Sequence, residues 1–211
     1  MVPAIMPLDA ISEDARTAVQ AIYEDGFPAR QRVPFAELVE GSRSGAELAL
    51  VGLEDRRPMG LAFLTRLDCA GHLFLEYFAV ARELRGAGRG GSLWKAVRDE
   101  LAASEPGRPI VLEVEDPAEP GIDAAEAEHR ARRVRFWEKA GAIALPVDGY
   151  VIPDVGGDGT EPMRLLWVPG RPADEAPRDE RLLELILALY EAGYGLDRDD
   201  ALVRRALRIW G

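Results

Sequence analysis

Leu75–Lys95 reads LEYFAVARELRGAGRGGSLWK. An apolar run, Leu75 to Val80, ends in a turn rich in Arg and Gly. Arg85-Gly86-Ala87-Gly88-Arg89-Gly90-Gly91 then leads through Ser92 into an amphipathic segment. This order predicts a strand, a phosphate-cradling loop and a helix. Glycine permits positive φ and close approach of a ligand to the main chain. The first N–H groups of the helix point outward, and the helix dipole favours negative charge there. Arg85 and Arg89 add positive charge beside them. The stretch therefore predicts a phosphate-bearing ligand.

The spacing narrows the choice. Gly86, Gly88 and Gly91 satisfy a bare G-x-G-x-x-G, but a dinucleotide fold places that pattern after its first strand. Here the preceding strand reads as the fourth. A P-loop would end in Gly-Lys-Ser/Thr, and Gly91-Ser92 lacks the lysine. The segment resembles the acyl-CoA pyrophosphate loop of the GNAT N-acetyltransferases: Arg or Gln, two spacers, Gly, a spacer, then Gly or Ala. Arg85, Gly88 and Gly90 fill those places. Tyr77-Phe78-Ala79-Val80 resembles the family's fourth strand. Downstream, Arg135-Phe136-Trp137-Glu138-Lys139-Ala140-Gly141-Ala142 resembles its later helix, which usually ends Phe-Tyr-x-Lys-x-Gly-Phe. Close resemblance covers residues 73–91 and 133–142. Up to about residue 168 the rest follows in element order.

Composition bounds the class. The 211 residues suit one domain, or one with an appendage, and 47% of them are hydrophobic. A net charge of −11 argues against general nucleic-acid binding. It suits a solubilising surface, or attraction of cationic substrates such as polyamines or aminoglycosides. Cys69 is the single cysteine, so no internal disulfide is expected. The first residues, MVPAIMPLDAISED, lack the basic and apolar regions of a signal peptide. No run is long enough to span a membrane, and a cytoplasmic location is expected.

The remaining patterns give an element order. Ala4–Leu8 reads as an edge strand, and Ser12 caps a helix to about Glu24. Pro34–Val39 reads as a short helix. Glu47–Leu53, Met59–Leu67 and His72–Val80 read as strands of an antiparallel meander. Ser92–Ala103 is helical, Pro109–Val114 a strand, and Asp123 caps a helix ending at Gly141. Ile143–Ile152 and Met163–Val168 read as the last strands, around a turn at Gly156–Gly159. Two helices follow, at about Asp179–Ala192 and Asp199–Ile209. The expectation is an α/β fold, with a mixed and mostly antiparallel GNAT-like sheet flanked by helices. Residues 1–168 would form the acyl-CoA-binding domain, 169–178 a linker and 179–211 a C-terminal helical extension.

The resemblance implies acetyl-CoA as cosubstrate. The pyrophosphate would meet the backbone from Arg85 to Ser92: Arg85, Gly86, Ala87, Gly88, Arg89, Gly90, Gly91 and Ser92. Pantetheine would run along the main chain of Phe78, Ala79 and Val80 like an added strand. Many members of the family carry a Glu on this strand, and Glu76 is that residue here. Strand alternation puts it on the face of Phe74, Phe78 and Val80. A carboxylate among apolar neighbours suits a general base, directly or through water. The family often uses a Tyr four residues before the helix-ending Gly to protonate the leaving thiolate. That position is Trp137, whose indole is no useful acid. Tyr150 and Tyr77 are substitutes, with solvent a further proton source.

Other groupings point to less chemistry. Cys69 and His72 lie at an expected hairpin turn with nothing to orient them as nucleophile and base. Glu113, Glu115 and Asp116 could bind a cationic amine or simply end a strand. Two histidines and one cysteine without ligand spacing give no metal site. The arginines from Arg130 to Arg135 read as a solvated face. The reading is direct acetyl transfer from acetyl-CoA to an amine of a small molecule or peptide, in a ternary complex. The alternative is a non-catalytic acyl-CoA-binding or regulatory domain, which Trp137 favours. A nucleotide-binding domain fits poorly with antiparallel strands ahead of the loop. No nucleic-acid or membrane partner is expected. The C-terminal helices could cap a substrate cleft or pair subunits in a homodimer.

Overall fold

A computed structural model describes residues 2–154 and 159–208. Its eight strands are β1 (Ala4–Pro7), β2 (Glu47–Glu54), β3 (Arg57–Leu67), β4 (His72–Val80), β5 (Ile110–Glu115), β6 (Ile143–Ala144), β7 (Val151–Pro153) and β8 (Thr160–Val168). Its six α-helices are α1 (Glu13–Gly26), α2 (Phe35–Ser44), α3 (Arg89–Ser104), α4 (Ala124–Lys139), α5 (Asp179–Tyr194) and α6 (Ala201–Arg208). The strands form one sheet in the order β1-β2-β3-β4-β5-β8-β6, with β7 also on β8. Its described ladders, β1–β2, β2–β3, β5–β8, β6–β8 and β7–β8, are antiparallel. Packing divides the chain into two compact units. The first holds residues 1–66 and 75–107, the second residues 67–74 and 108–211.

In the first unit, Ser12 caps α1 by accepting from the Ala15 N–H at 3.3 Å, and Glu13 and Asp14 lie in the first turn, where the helix dipole favours acids. Val19, Ile22 and Tyr23 of α1 meet Leu38 and Val39 of α2 in one apolar cluster. Ala49, Val51, Leu61, Phe63, Tyr77 and Ala79 supply its sheet side. The β2–β3 hairpin turns at Asp55 and Arg56, both at positive φ (48° and 64°), as a two-residue hairpin that follows the strand twist requires. Two glycines let α3 approach the sheet. A Cβ at Gly52 would stand 2.4 Å from Leu93, and one at Gly60 would stand 2.6 Å from Leu93 and 2.5 Å from the Ala79 carbonyl oxygen.

In the second unit, β5 and β8 pair from Ile110↔Val168 to Glu115↔Met163. Asp123 caps α4, accepting from the Glu126 N–H at 2.8 Å. Leu182, Leu185, Ile186, Leu189 and Tyr190 of α5 share a cluster with Val111, Tyr150, Leu165 and Trp167. The helix α5 is thus part of this unit's core.

Several boundaries differ from the sequence reading. The helix expected from Ser92 starts at Arg89, because Gly88 takes φ +73° as its N-cap and sets Gly90 and Gly91 inside the first turn. The strand expected over Ile143–Ile152 is two short strands, β6 and β7, interrupted at residues 145–150. Pro146 cannot donate to a ladder, and Gly149 turns at φ +70°. The turn expected at Gly156–Gly159 lies outside the described residues apart from Gly159, as does Ile209.

Candidate active site

The Arg-Gly loop lies in the first unit, between β4 and α3. Arg85, Gly86, Ala87 and Gly88 are exposed. Gly86 and Gly88 hold φ of +83° and +73°. A Cβ at Gly86, Gly88 or Gly91 would meet nothing within 4 Å, so the space above the backbone is open. Gly88 provides no side-chain cap to α3. The Ser92 N–H bonds back to the Gly88 carbonyl at 3.4 Å. The N–H groups of Arg89, Gly90 and Gly91 precede that first helical bond, which is the arrangement that receives an anion. The loop's cations are partly spent inside the protein. Arg85 donates to the Val80 carbonyl at 2.9 Å and pairs with Asp25 at 2.7 Å. Arg89 pairs with Glu54.

The strand before the loop carries the other expected residues. Ala79 is buried in the α1–α2 cluster, whereas Phe78 and Val80 are half-buried. Phe78 meets Trp94 of α3 edge-on, centroids 5.9 Å apart. Glu76 is half-buried, and its Oε1 accepts from the Thr65 hydroxyl. Thr65 follows Leu61 and Phe63 at alternate positions of β3, so it faces α1 and α2 with them. The Glu76 carboxylate therefore reaches the α1–α2 side, not the side that strict alternation assigns. Glu76 lies close enough to Tyr23 and Tyr77 to help raise their pKa values, for which burial is the larger cause. The Tyr23 hydroxyl donates to the Val33 carbonyl at 3.0 Å. That of Tyr77 donates to the Gln31 carbonyl at 3.2 Å and accepts from the Val33 N–H at 3.4 Å. Both rings thus hold the α1–α2 connection beside Glu76.

Tyr150 belongs to the second unit. It is 1% exposed, and its hydroxyl donates to Glu113 Oε1 at 2.5 Å. Burial, then the Glu113 charge, holds its pKa well above that of a free phenol. A phenol so placed is a weak proton donor. Tyr194, the last residue of α5, donates to Glu113 Oε2. Glu113 keeps some accessible surface, yet the atoms crowding its carboxylate push its pKa up to about 7, against the pull of both hydroxyls. Glu115 is paired with Arg133, and Asp116 with Arg164 at 2.8 Å. Arg130 is buried, not solvated, between Glu126 and Glu119.

His72 donates from one ring nitrogen and accepts at the other: Nδ1 lies 2.6 Å from the Ala70 carbonyl, and Nε2 accepts from the Trp167 indole at 3.1 Å. Burial lowers its pKa and keeps it neutral. It has no ring nitrogen left to activate the exposed Cys69. Trp137 is 5% exposed and packs edge-on against Phe136. Among the described residues, no three potential ligands gather as a metal site, and no helix is long and apolar enough to cross a membrane.

The sequence profile of the acetyltransferase (GNAT) family matches residues 13–141, more than half of the chain. The chain belongs to the GNAT acetyltransferase family. It is an enzyme of the acyl-transfer class, and solved structures agree on the fold. One, from Bacteroides thetaiotaomicron and assigned to the GNAT acetyltransferases, is 25% identical with a TM-score of 0.68, over 92% of this chain and 99% of that one. An aminoglycoside 6'-N-acetyltransferase solved with coenzyme A is 19% identical with a TM-score of 0.60, over 82% and 99%. A spermidine N-acetyltransferase chimera from Vibrio cholerae and hSSAT is 14% identical with a TM-score of 0.57, over 81% and 96%. No curated protein matches the chain.

Within this acetyltransferase, sequence reasoning missed Thr65, Gly52, Gly60 and Tyr194. The glycines carried a signal, since glycine inside a strand marks close approach. Thr65 carried none, because its importance depends on where the Glu76 side chain goes.

Proposed function

We propose that this acetyltransferase moves the acetyl group of acetyl-CoA to an amine of a small molecule or peptide, by direct attack in a ternary complex. The observation that carries the reading is the open N-terminus of α3 at the end of the strand that carries Glu76. The backbone of Arg85–Ser92 receives the pyrophosphate, with N–H groups and helix dipole both favouring the anion. Phe78, Ala79 and Val80 hold the pantetheine arm by main-chain bonds. Arg85 uses one lone pair of the Val80 carbonyl and leaves the second.

In the transfer, the amine nitrogen attacks the thioester carbonyl carbon and its proton passes to Glu76, directly or through water. The C–S bond breaks, the amide forms, and the thiolate takes a proton from solvent. The engagement of Tyr150 with Glu113 supports solvent as that source. The saturated ring nitrogens of His72 support direct transfer over an acyl-cysteine intermediate. The net charge of −11 favours cationic acceptors. Aminoglycosides and spermidine, the acceptors named for two structural neighbours, are of that kind. The reading places the enzyme in the cytoplasm.

The test is thiol release from acetyl-CoA over a panel of polyamines, aminoglycosides and peptides with free amines. Release that depends on an amine, with the acetylated product seen by mass spectrometry, supports the reading. Release at the buffer rate with every amine overturns it.

A further inference from the structure

We propose that Thr65 is a positioning residue for Glu76: its hydroxyl holds the carboxylate in place and favours its ionised form. The inference rests on Glu76 being the base. The geometry is local to three neighbouring strands. Glu47 of β2 and Thr65 of β3 are register partners, and the Thr65 hydroxyl donates to Glu76 of β4. Thr65 has one proton to donate, and it goes to Glu76.

Glu47 shows what a carboxylate here experiences without such a donor. Its Oε2 is buried with no hydrogen-bond partner. The side chain leans against α2, where a Cβ on Gly41 would stand 2.7 Å from its carboxyl carbon. Burial first, then the Glu37 charge, pushes its pKa up to about 7. Two glutamates on one face thus differ in a donor, and a donor to the charged form favours that form. Tyr23 of α1 and Tyr77 of β4 also lie close enough to feel the Glu76 charge. Arg32 of the α1–α2 connection lies over the Tyr23 ring at 5.9 Å, and the Glu37 charge bears on Glu47.

The sign follows. Glu76 can accept a proton only when ionised, so losing the donor moves its titration to higher pH. The rate then falls at a higher pH on the acidic side. Thr65→Val keeps the β-branched shape and removes the hydroxyl. Thr65→Ser restores the hydroxyl, and Thr65→Ala removes it with less apolar surface should the Val variant misfold.

The experiment follows the Glu76 side-chain carbon by NMR through a pH titration, with the signal assigned by its loss in Glu76→Gln. The expected midpoint in Thr65→Val or Thr65→Ala is about one pH unit above wild type, as loss of a hydrogen bond to a charged group predicts. Thr65→Ser should titrate with wild type. Where an amine is turned over, the acidic limb of kcat/KM should move by the same amount with KM for acetyl-CoA unchanged. Coincident midpoints in wild type and the hydroxyl-free variants overturn the inference. A full amine panel without turnover would overturn the proposed transfer instead, and the titration still decides what Thr65 does.

Discussion

Glu76 and Glu113 are both carboxylates on strands, and their surroundings set them different tasks. Glu76 accepts from the Thr65 hydroxyl, whereas Glu113 is engaged by Tyr150 and Tyr194. Glu76→Gln keeps the shape and removes the proposed base. It should lower kcat by about 10²–10⁴-fold and leave CoA affinity, measured by calorimetry, within error of wild type. Glu113 predicts a stability effect. Its folded pKa of about 7 lies above the ordinary 4.5. Between those values the folded state holds the proton and the unfolded state has lost it, so stability falls as pH rises through the window. Against Glu113→Gln, wild type should lose up to roughly 3 kcal/mol across the window. Urea unfolding at several pH values checks this, and a constant difference between the two proteins would refute it. Trp137 is a packing residue by its burial, and an indole N–H does not ionise near neutral pH.

Among the elements, α3 is the piece on which the proposed donor binding depends. It lies against the sheet through Leu93, and Gly52 and Gly60 supply the room. Gly60→Ala should destabilise the protein by about 1–3 kcal/mol and weaken CoA binding as the helix shifts, both readable by thermal melts with and without CoA. Gly88→Asp adds a side chain at φ +73° and a negative charge at the proposed phosphate site. It should abolish the CoA-induced rise in melting temperature. Gly45→Asp sets the same change at a similar φ of +76° at the end of α2, and should keep that rise. Most elements were legible in the sequence because caps and turns punctuate them: Ser12, Asp123 and the Asp55–Arg56 hairpin all appear where the pattern puts them. The start of α3 was not, because glycine propensity argues against helix at Gly90–Gly91 and only the backbone of Gly88 overrides it. The side of Glu76 was not, because it is set by the hydroxyl of Thr65 on the neighbouring strand, a contact that exists only in the fold. The loop could be read residue by residue, but the partners Asp25 and Glu54 of its arginines are distant in sequence and close only in the fold.

For the whole molecule, the two terms that matter are charge and the C-terminal helix. A net charge of −11 should make KM for a polycationic acceptor rise with added salt, while a neutral-backbone amine peptide responds less. The helix α5 lies beyond residues 13–141 matched by the family profile, yet Leu185 and Leu189 are fully buried in the same cluster as Trp167. Leu185→Ala should destabilise by about 2–5 kcal/mol in urea unfolding, an amount that a loosely attached tail would not show. Direct transfer of acetyl from acetyl-CoA to an amine passes through a ternary complex and no acyl-enzyme. Initial rates over a grid of acetyl-CoA and amine concentrations test it most directly. Double-reciprocal lines should intersect, with the same pattern and a lower kcat in Glu76→Gln. Parallel lines, the sign of an acyl-enzyme, or no amine-dependent rate at any point of the grid would contradict it.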